Sequence, residues 1–188
     1  MEFRRFNSED LNIIREIIGS SISDIFYQPV KDLISSDNMF VINFGEKCIY
    51  SLHVFCFLRI RDENEIILTS SDEYFSNDFM QLNSKVYDSR DEFEKSLLFI
   101  TIKTVKSRLK GSIIRSVTIN NIGDIIIQFD NGIQMEIIPD CMFQDYEYYR
   151  FFNTKKFSPH YIVGFLNGLI VFGQQDEHGK TDPRQGSV

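Results

Sequence analysis

Three histidines, His53, His160 and His178, and a dense set of carboxylates are the side chains of this 188-residue chain best suited to catalysis or metal binding. Histidine is the commonest metal ligand and the usual general base near neutral pH. A zinc centre or catalytic dyad needs partners at fixed spacing, however, such as two histidines one helical turn apart. His53 stands in an alternating apolar run with Arg59 on the same face, His160 follows Pro159, and His178 lies in a polar C-terminal stretch. None has a ligand partner at such spacing. The chain contains no Gly-x-Ser-x-Gly elbow, no glycine-rich phosphate loop ahead of a helix, and no His-Glu-x-x-His, Cys-x-x-Cys or EF-hand loop. The expectation is a protein without metal or cofactor that is not an enzyme.

The carboxylates come in pairs, Asp62-Glu63, Asp72-Glu73 and the set Asp140, Asp145 and Glu147. Acid–base work requires burial or like-charge neighbours to tune a carboxyl, and loops this polar keep carboxylates solvated. Their distribution carries more information. Residues 62–94 hold ten carboxylates against Lys85 and Arg90, a net charge of −8, which leaves +1 for the rest of a chain whose total is −7. Such a segment repels phosphates and draws in basic partners. Asp62, Glu63, Glu65, Asp72, Glu73 and Asp78 are the candidate contact residues. The cluster Tyr146, Tyr148, Tyr149, Phe151 and Phe152 lacks the interleaved Lys and Arg of a base-stacking platform, so it reads as core, and nucleic acid is not an expected partner.

These residues must be positioned by a mixed set of elements. A short N-terminal helix is predicted over 8–18, where Leu11, Ile14 and Ile18 share a face. Period-two alternation then predicts a hairpin of 39–44 with a long strand 47–60, whose two largely apolar faces make it central, and a short strand near 65–69. A long helix is predicted over 89–109, with stripes Phe93, Leu97, Ile100 and Leu98, Ile102, Val105, Leu109. Strands follow at 113–119, 124–130, 133–138, 146–152, 161–165 and 169–172, with Asn131-Gly132 and Asn167-Gly168 as hairpin turns. The predicted fold class is α+β: a curved, mostly antiparallel sheet of six to eight strands with one long helix packed on a face. A single domain is expected over 1–173 and a disordered polar tail over 174–188.

Composition agrees with that outline. Apolar residues make up 43% of the chain, including 18 Phe and 8 Tyr, which is ample for one core. No apolar run reaches the roughly 20 residues of a membrane span, and the N-terminus turns polar before a secretory segment could form, so a cytoplasmic protein with no membrane contact is expected. Cys48, Cys56 and Cys141, odd in number and set among apolar or aromatic neighbours, read as buried free thiols.

Two stretches resemble a known group as a pair. One runs through Ser51-Leu52-His53-Val54-Phe55-Cys56-Phe57-Leu58-Arg59-Ile60 and on to Thr69-Ser70-Ser71-Asp72-Glu73-Tyr74. The other combines Gly123-Asp124-Ile125-Ile126-Ile127-Gln128-Phe129-Asp130-Asn131-Gly132-Ile133-Gln134-Met135-Glu136-Ile137, Tyr146-Glu147-Tyr148-Tyr149-Arg150-Phe151-Phe152 and His160-Tyr161-Ile162-Val163-Gly164. Together their spans, 51–74 and 123–164, take in a little over a third of the chain and are similar to the immunity proteins of bacterial polymorphic toxin and contact-dependent growth inhibition systems. Where that pattern has Trp after Tyr-Glu-x, this chain has Tyr149. The resemblance implies an inhibitor of a cognate toxin domain, and the acidic segment fits a basic nuclease best. Two other functions are compatible with the residues: a small hydrolase using the His53/Arg59 face, and a ligand-binding or assembly module.

Overall fold

Alternation of apolar and polar side chains dominates the chain, and strands follow it. The computed structural model describes residues 4–5, 8–28, 39–70, 96–139, 147–155, 159–164 and 168–172. They form β1 (Arg4–Arg5), a 3-10 helix (Ser8–Ile17), β2 (Ile22–Gln28), β3 (Met39–Phe44), β4 (Tyr50–Val54), β5 (Phe57–Arg61), β6 (Ile66–Thr69), helix α1 (Leu97–Leu109), β7 (Ile114–Ile119), β8 (Ile125–Phe129), β9 (Gln134–Ile138), β10 (Glu147–Asn153), β11 (His160–Gly164) and β12 (Gly168–Phe172). Every strand pairing is antiparallel. The α+β class therefore stands, with the strands divided between two sheets: seven in the order β1-β12-β11-β10-β4-β3-β2, and five in the order β6-β5-β9-β8-β7.

The long strand expected over 47–60 is broken at Phe55-Cys56 into β4 and β5, and the break hands the chain from the larger sheet to the smaller. Both amides at the break, Phe55 N–H at 2.8 Å and Cys56 N–H at 3.2 Å, donate to the Tyr148 carbonyl. Two residues facing one is the geometry of a bulge, which bends a strand and sharpens its twist. Strands that switch sheets commonly do so at such bends. The alternation survives: Leu52, Val54, Cys56, Leu58 and Ile60 are buried, and His53, Phe55, Phe57 and Arg59 are half-buried. A second junction joins the sheets where Ser21 bridges Ile113, with Gly19 N–H and Ile114 N–H bonded to Ile114 O and Ser20 O at 2.9 Å each.

Tyr148 and Tyr149 are adjacent yet both buried, because the register of β10 shifts between Glu147 and Tyr149. The Tyr149 hydroxyl donates to the Gly123 carbonyl at 2.8 Å, tying β10 to the β7–β8 turn. A buried phenol needs such an acceptor. Gly123 has φ +93°, a backbone conformation that glycine adopts without strain, and a Cβ there would make only an ordinary contact with the hydroxyl oxygen. Tyrosine in the place of the expected tryptophan thus links the two sheets.

Helix α1 begins at Ser96, whose hydroxyl accepts from Phe99 N–H at 3.1 Å, and it buries the stripe Leu98, Ile102, Val105 and Leu109. Of the other predicted stripe, Leu97 is half-buried and Ile100 is exposed, while Phe93 and the predicted first turns over 89–95 lie outside the described residues. The helix packs on β6 and β2, and Lys106 pairs with Asp24 of β2 at 2.7 Å.

Several expectations are corrected. The N-terminal helix is a 3-10 helix, bent at Leu11, and buries Leu11, Ile14 and Ile17 while Ile18 is 45% exposed. Spacing of three is what a helix of three residues per turn lines up. Strand β2 was not expected, because a register shift between Ile22 and Asp24 interrupts its alternation. Cys56 is buried, but Cys48 is only half-buried, in the β3–β4 turn where Lys47 and Cys48 both have positive φ. Cys141 and the tail over 174–188 lie outside the described residues. Among the described residues no helix is long and apolar enough to cross a membrane.

Candidate functional site

The expected acidic surface begins at the β5–β6 turn. Asp62 shapes that turn: its carboxylate accepts from the backbone N–H of Asn64 at 2.8 Å and of Glu65 at 2.9 Å, and its own N–H donates to Glu65 O. Short polar side chains stabilise turns in this way. The two amides, helped by Arg108, hold the Asp62 carboxyl below its ordinary value. Arg108, from the last turn of α1, reaches Asp62 at 3.1 Å and Glu65 at 2.5 Å. Asn131 of the β8–β9 turn in turn bonds the Arg108 carbonyl at 2.8 Å. The arrangement can orient the turn and partly neutralise it. Glu63, at the tip, is exposed and has no ion pair among the described residues. Asp72, Glu73 and Asp78 lie outside the described residues.

Immediately before the turn, β5 presents Arg59 and Arg61 on the outer face of the five-stranded sheet. Register sets Arg59 opposite Glu136 and Arg61 opposite Gln134 of β9. Glu136 is only 5% exposed, and both its oxygens are occupied. Arg59 donates to Oε2 through Nε at 2.7 Å and also through Nη2; Arg61 Nε and Gln134 Nε2 donate to Oε1 at 2.7 and 2.6 Å. Burial pushes this carboxyl up, but the bonds from Arg61 and Arg59 outweigh it and leave it below the ordinary value, so it is ionised at neutral pH.

The outer face of the seven-stranded sheet carries a different cluster. The Phe152 ring stands edge-on to His53 at 5.0 Å between centroids and stacks on His160 at 4.3 Å. Arg150, opposite His53 in the register, is held by two bonds to Glu147, at 2.9 and 2.7 Å. Burial lowers the His53 imidazole to about 4, with Arg150 and His160 adding to the effect. Burial and Arg150 lower His160 as well, and Glu147 opposes them. Both rings are thus neutral at physiological pH.

His53 and Arg59, paired in the hydrolase reading, lie on different sheets and have different partners, so the structure does not bring them together. The residues that organise the charged surface, Arg108, Glu136 and Arg61, were not singled out from sequence. Parity along β5 puts Arg59 and Arg61 on one face, but Glu136 joins them only through the β5–β9 register, which sequence spacing does not reveal. Among the described residues no group of three or more His, Cys, Asp or Glu is arranged to hold a metal ion. Comparison of the chain with protein-family models, with curated proteins and with solved structures finds no match.

Proposed function

We propose that this protein is an immunity-type inhibitor, which binds a cognate toxin domain and neutralises it by masking its active site or substrate surface. The observation that carries the reading is the segregation of charge: net −8 in residues 62–94, beginning at a turn whose shape is fixed by Asp62 and Arg108 and whose tip presents Glu63. A nuclease must present Lys and Arg to phosphates, so a carboxylate-rich partner competes for the same surface and is steered to it. The family resemblance over the β4–β5 and β8–β11 stretches supports the same partner class. The reading places the protein in the cytoplasm, where Cys48 and Cys56 remain reduced.

The test begins with the genes adjacent to this one: the reading expects one of them to encode a toxin domain, which is then co-expressed with this protein. Survival of cells that the domain alone kills, together with a stable one-to-one complex of the purified proteins, is the expected outcome. Killing that proceeds unchanged, with no complex on size exclusion, would remove the inhibitor reading.

A further inference from the structure

The β8–β9 turn carries a reactive pair, Asn131 followed by Gly132, and both residues are exposed. In such a pair the glycine nitrogen is a nucleophile within reach of the asparagine side-chain carbon Cγ. A bond from that nitrogen to Cγ closes a five-membered succinimide, the bond from Cγ to Nδ2 breaks, and ammonia leaves with the proton that the nitrogen loses. Water then opens the ring at either carbonyl, giving aspartate or isoaspartate and one added negative charge. Glycine has no Cβ to hinder the ring, and water is the only co-reactant.

The fold holds each atom of that ring away from reaction. Gly132 N–H donates to the Phe129 carbonyl at 3.3 Å, Asn131 Oδ1 accepts from Ile133 N–H at 3.2 Å, and Asn131 Nδ2 donates to the Arg108 carbonyl at 2.8 Å. Ring closure requires Asn131 to leave both of its partners, so the reaction runs through local opening of the turn. The bond to Arg108 also has a structural role. The last carbonyls of a helix lack partners within it, and Asn131 supplies one to the end of α1, where the Ser112 hydroxyl adds a longer bond at 3.5 Å. A carboxylate at 131 has no proton to donate and faces the negative end of the helix dipole. The side chain of the same Arg108 holds Asp62 at 3.1 Å and Glu65 at 2.5 Å, so a displaced helix end disturbs the β5–β6 turn as well.

We propose that Asn131 is a deamidation site gated by its bond to the Arg108 carbonyl, and that its conversion unties the β8–β9 hairpin from α1 and loosens the β5–β6 turn. The site does not depend on the inhibitor reading.

The full chain is incubated at mildly alkaline pH, folded and in urea, and the peptide carrying residue 131 is followed by mass spectrometry with isoaspartate quantified. The expected result is conversion in urea, at least tenfold slower conversion in the folded chain, and at least tenfold slowing of the urea reaction by Gly132→Ala, which needs no folded state. The consequence is read by NMR amide exchange on Asn131→Asp, the direct product, in which the Ser112, Asn64 and Glu65 amides should exchange at least threefold faster than in the parent. Equal rates folded and in urea would remove the gate, and absence of conversion in urea would remove the site. Exchange in Asn131→Asp equal to the parent's at all three amides would overturn the coupling to α1 and the turn.

Discussion

The two halves of the chain from Tyr50 to Arg61 share one alternating pattern and carry opposite chemistry. In β4 the outward positions hold His53, which is packed against Phe152, lies beside Arg150 and is kept neutral by its surroundings. In β5 they hold Arg59 and Arg61, fixed on an ionised carboxylate with over a third of each side chain in solvent. The bulge at Phe55-Cys56 separates them by passing the strand to another sheet. What a half-buried side chain can do is therefore decided by the strand beside it: β10 surrounds His53 with a ring and a cation, and β9 gives the arginines an anion.

The largest expected effect comes from breaking the tie between the two sheets to which those halves belong. Tyr149→Ala empties a fully buried site and should cost about 3–5 kcal/mol in urea unfolding, whereas Tyr149→Phe, which strands the Gly123 carbonyl, should cost about 1–3 kcal/mol. If Tyr149→Phe unfolds at the parent's midpoint, the hydroxyl does not tie the sheets together. Next in size is Glu136→Gln, which removes the anion under Arg59 and Arg61 and should cost about 1–3 kcal/mol. A neutral result would show that the arginines hold their places without it.

The β4 half is probed by pH. An unfolded histidine titrates near 6.5 and folded His53 near 4, so between those values the unfolded state binds the extra proton. Stability should be fully present above 6.5 and fall as pH drops towards 4, with His160, lowered in the same direction, adding to the slope. Val41 and Ser51 also lie on this face; Glu147 and Arg150 are the charged groups acting on the two rings, and Asp24, paired with Lys106, lies farther along the register. His53→Phe should flatten the slope over that window. A slope unchanged by His53→Phe would mean that His53 titrates as an exposed residue does.

Much of this architecture was legible in period and turn chemistry. The hairpin at Asn131-Gly132, the buried stripe Leu98, Ile102, Val105 and Leu109, and the central position of the 47–60 segment all follow from local rules. What was hidden is non-local. The sheet switch depends on the Tyr148 carbonyl nearly a hundred residues downstream, and the β2 strand on a bulge that its own alternation conceals. The acidic candidates were visible as charge, but composition did not reveal that Asp62 is spent on shaping its turn or that Arg108 claims Glu65. That distinction selects the variants: Asp62→Lys would disturb the turn itself, whereas Glu63→Lys should change stability by no more than about 0.5 kcal/mol.

The acidic surface itself is tested most directly by stopped-flow association with the toxin domain identified by co-expression, at low and high salt, for the parent, Glu63→Lys and the double variant Asp72→Lys with Glu73→Lys. Charges that steer a partner act on the association rate and are screened beyond about 10 Å at 0.1 M salt. The account predicts that both variants associate more slowly at low salt, that the parent's rate falls more steeply with salt than theirs, and that unfolding midpoints stay within error of the parent's. Association rates equal to the parent's at every salt concentration, for both variants, would contradict it.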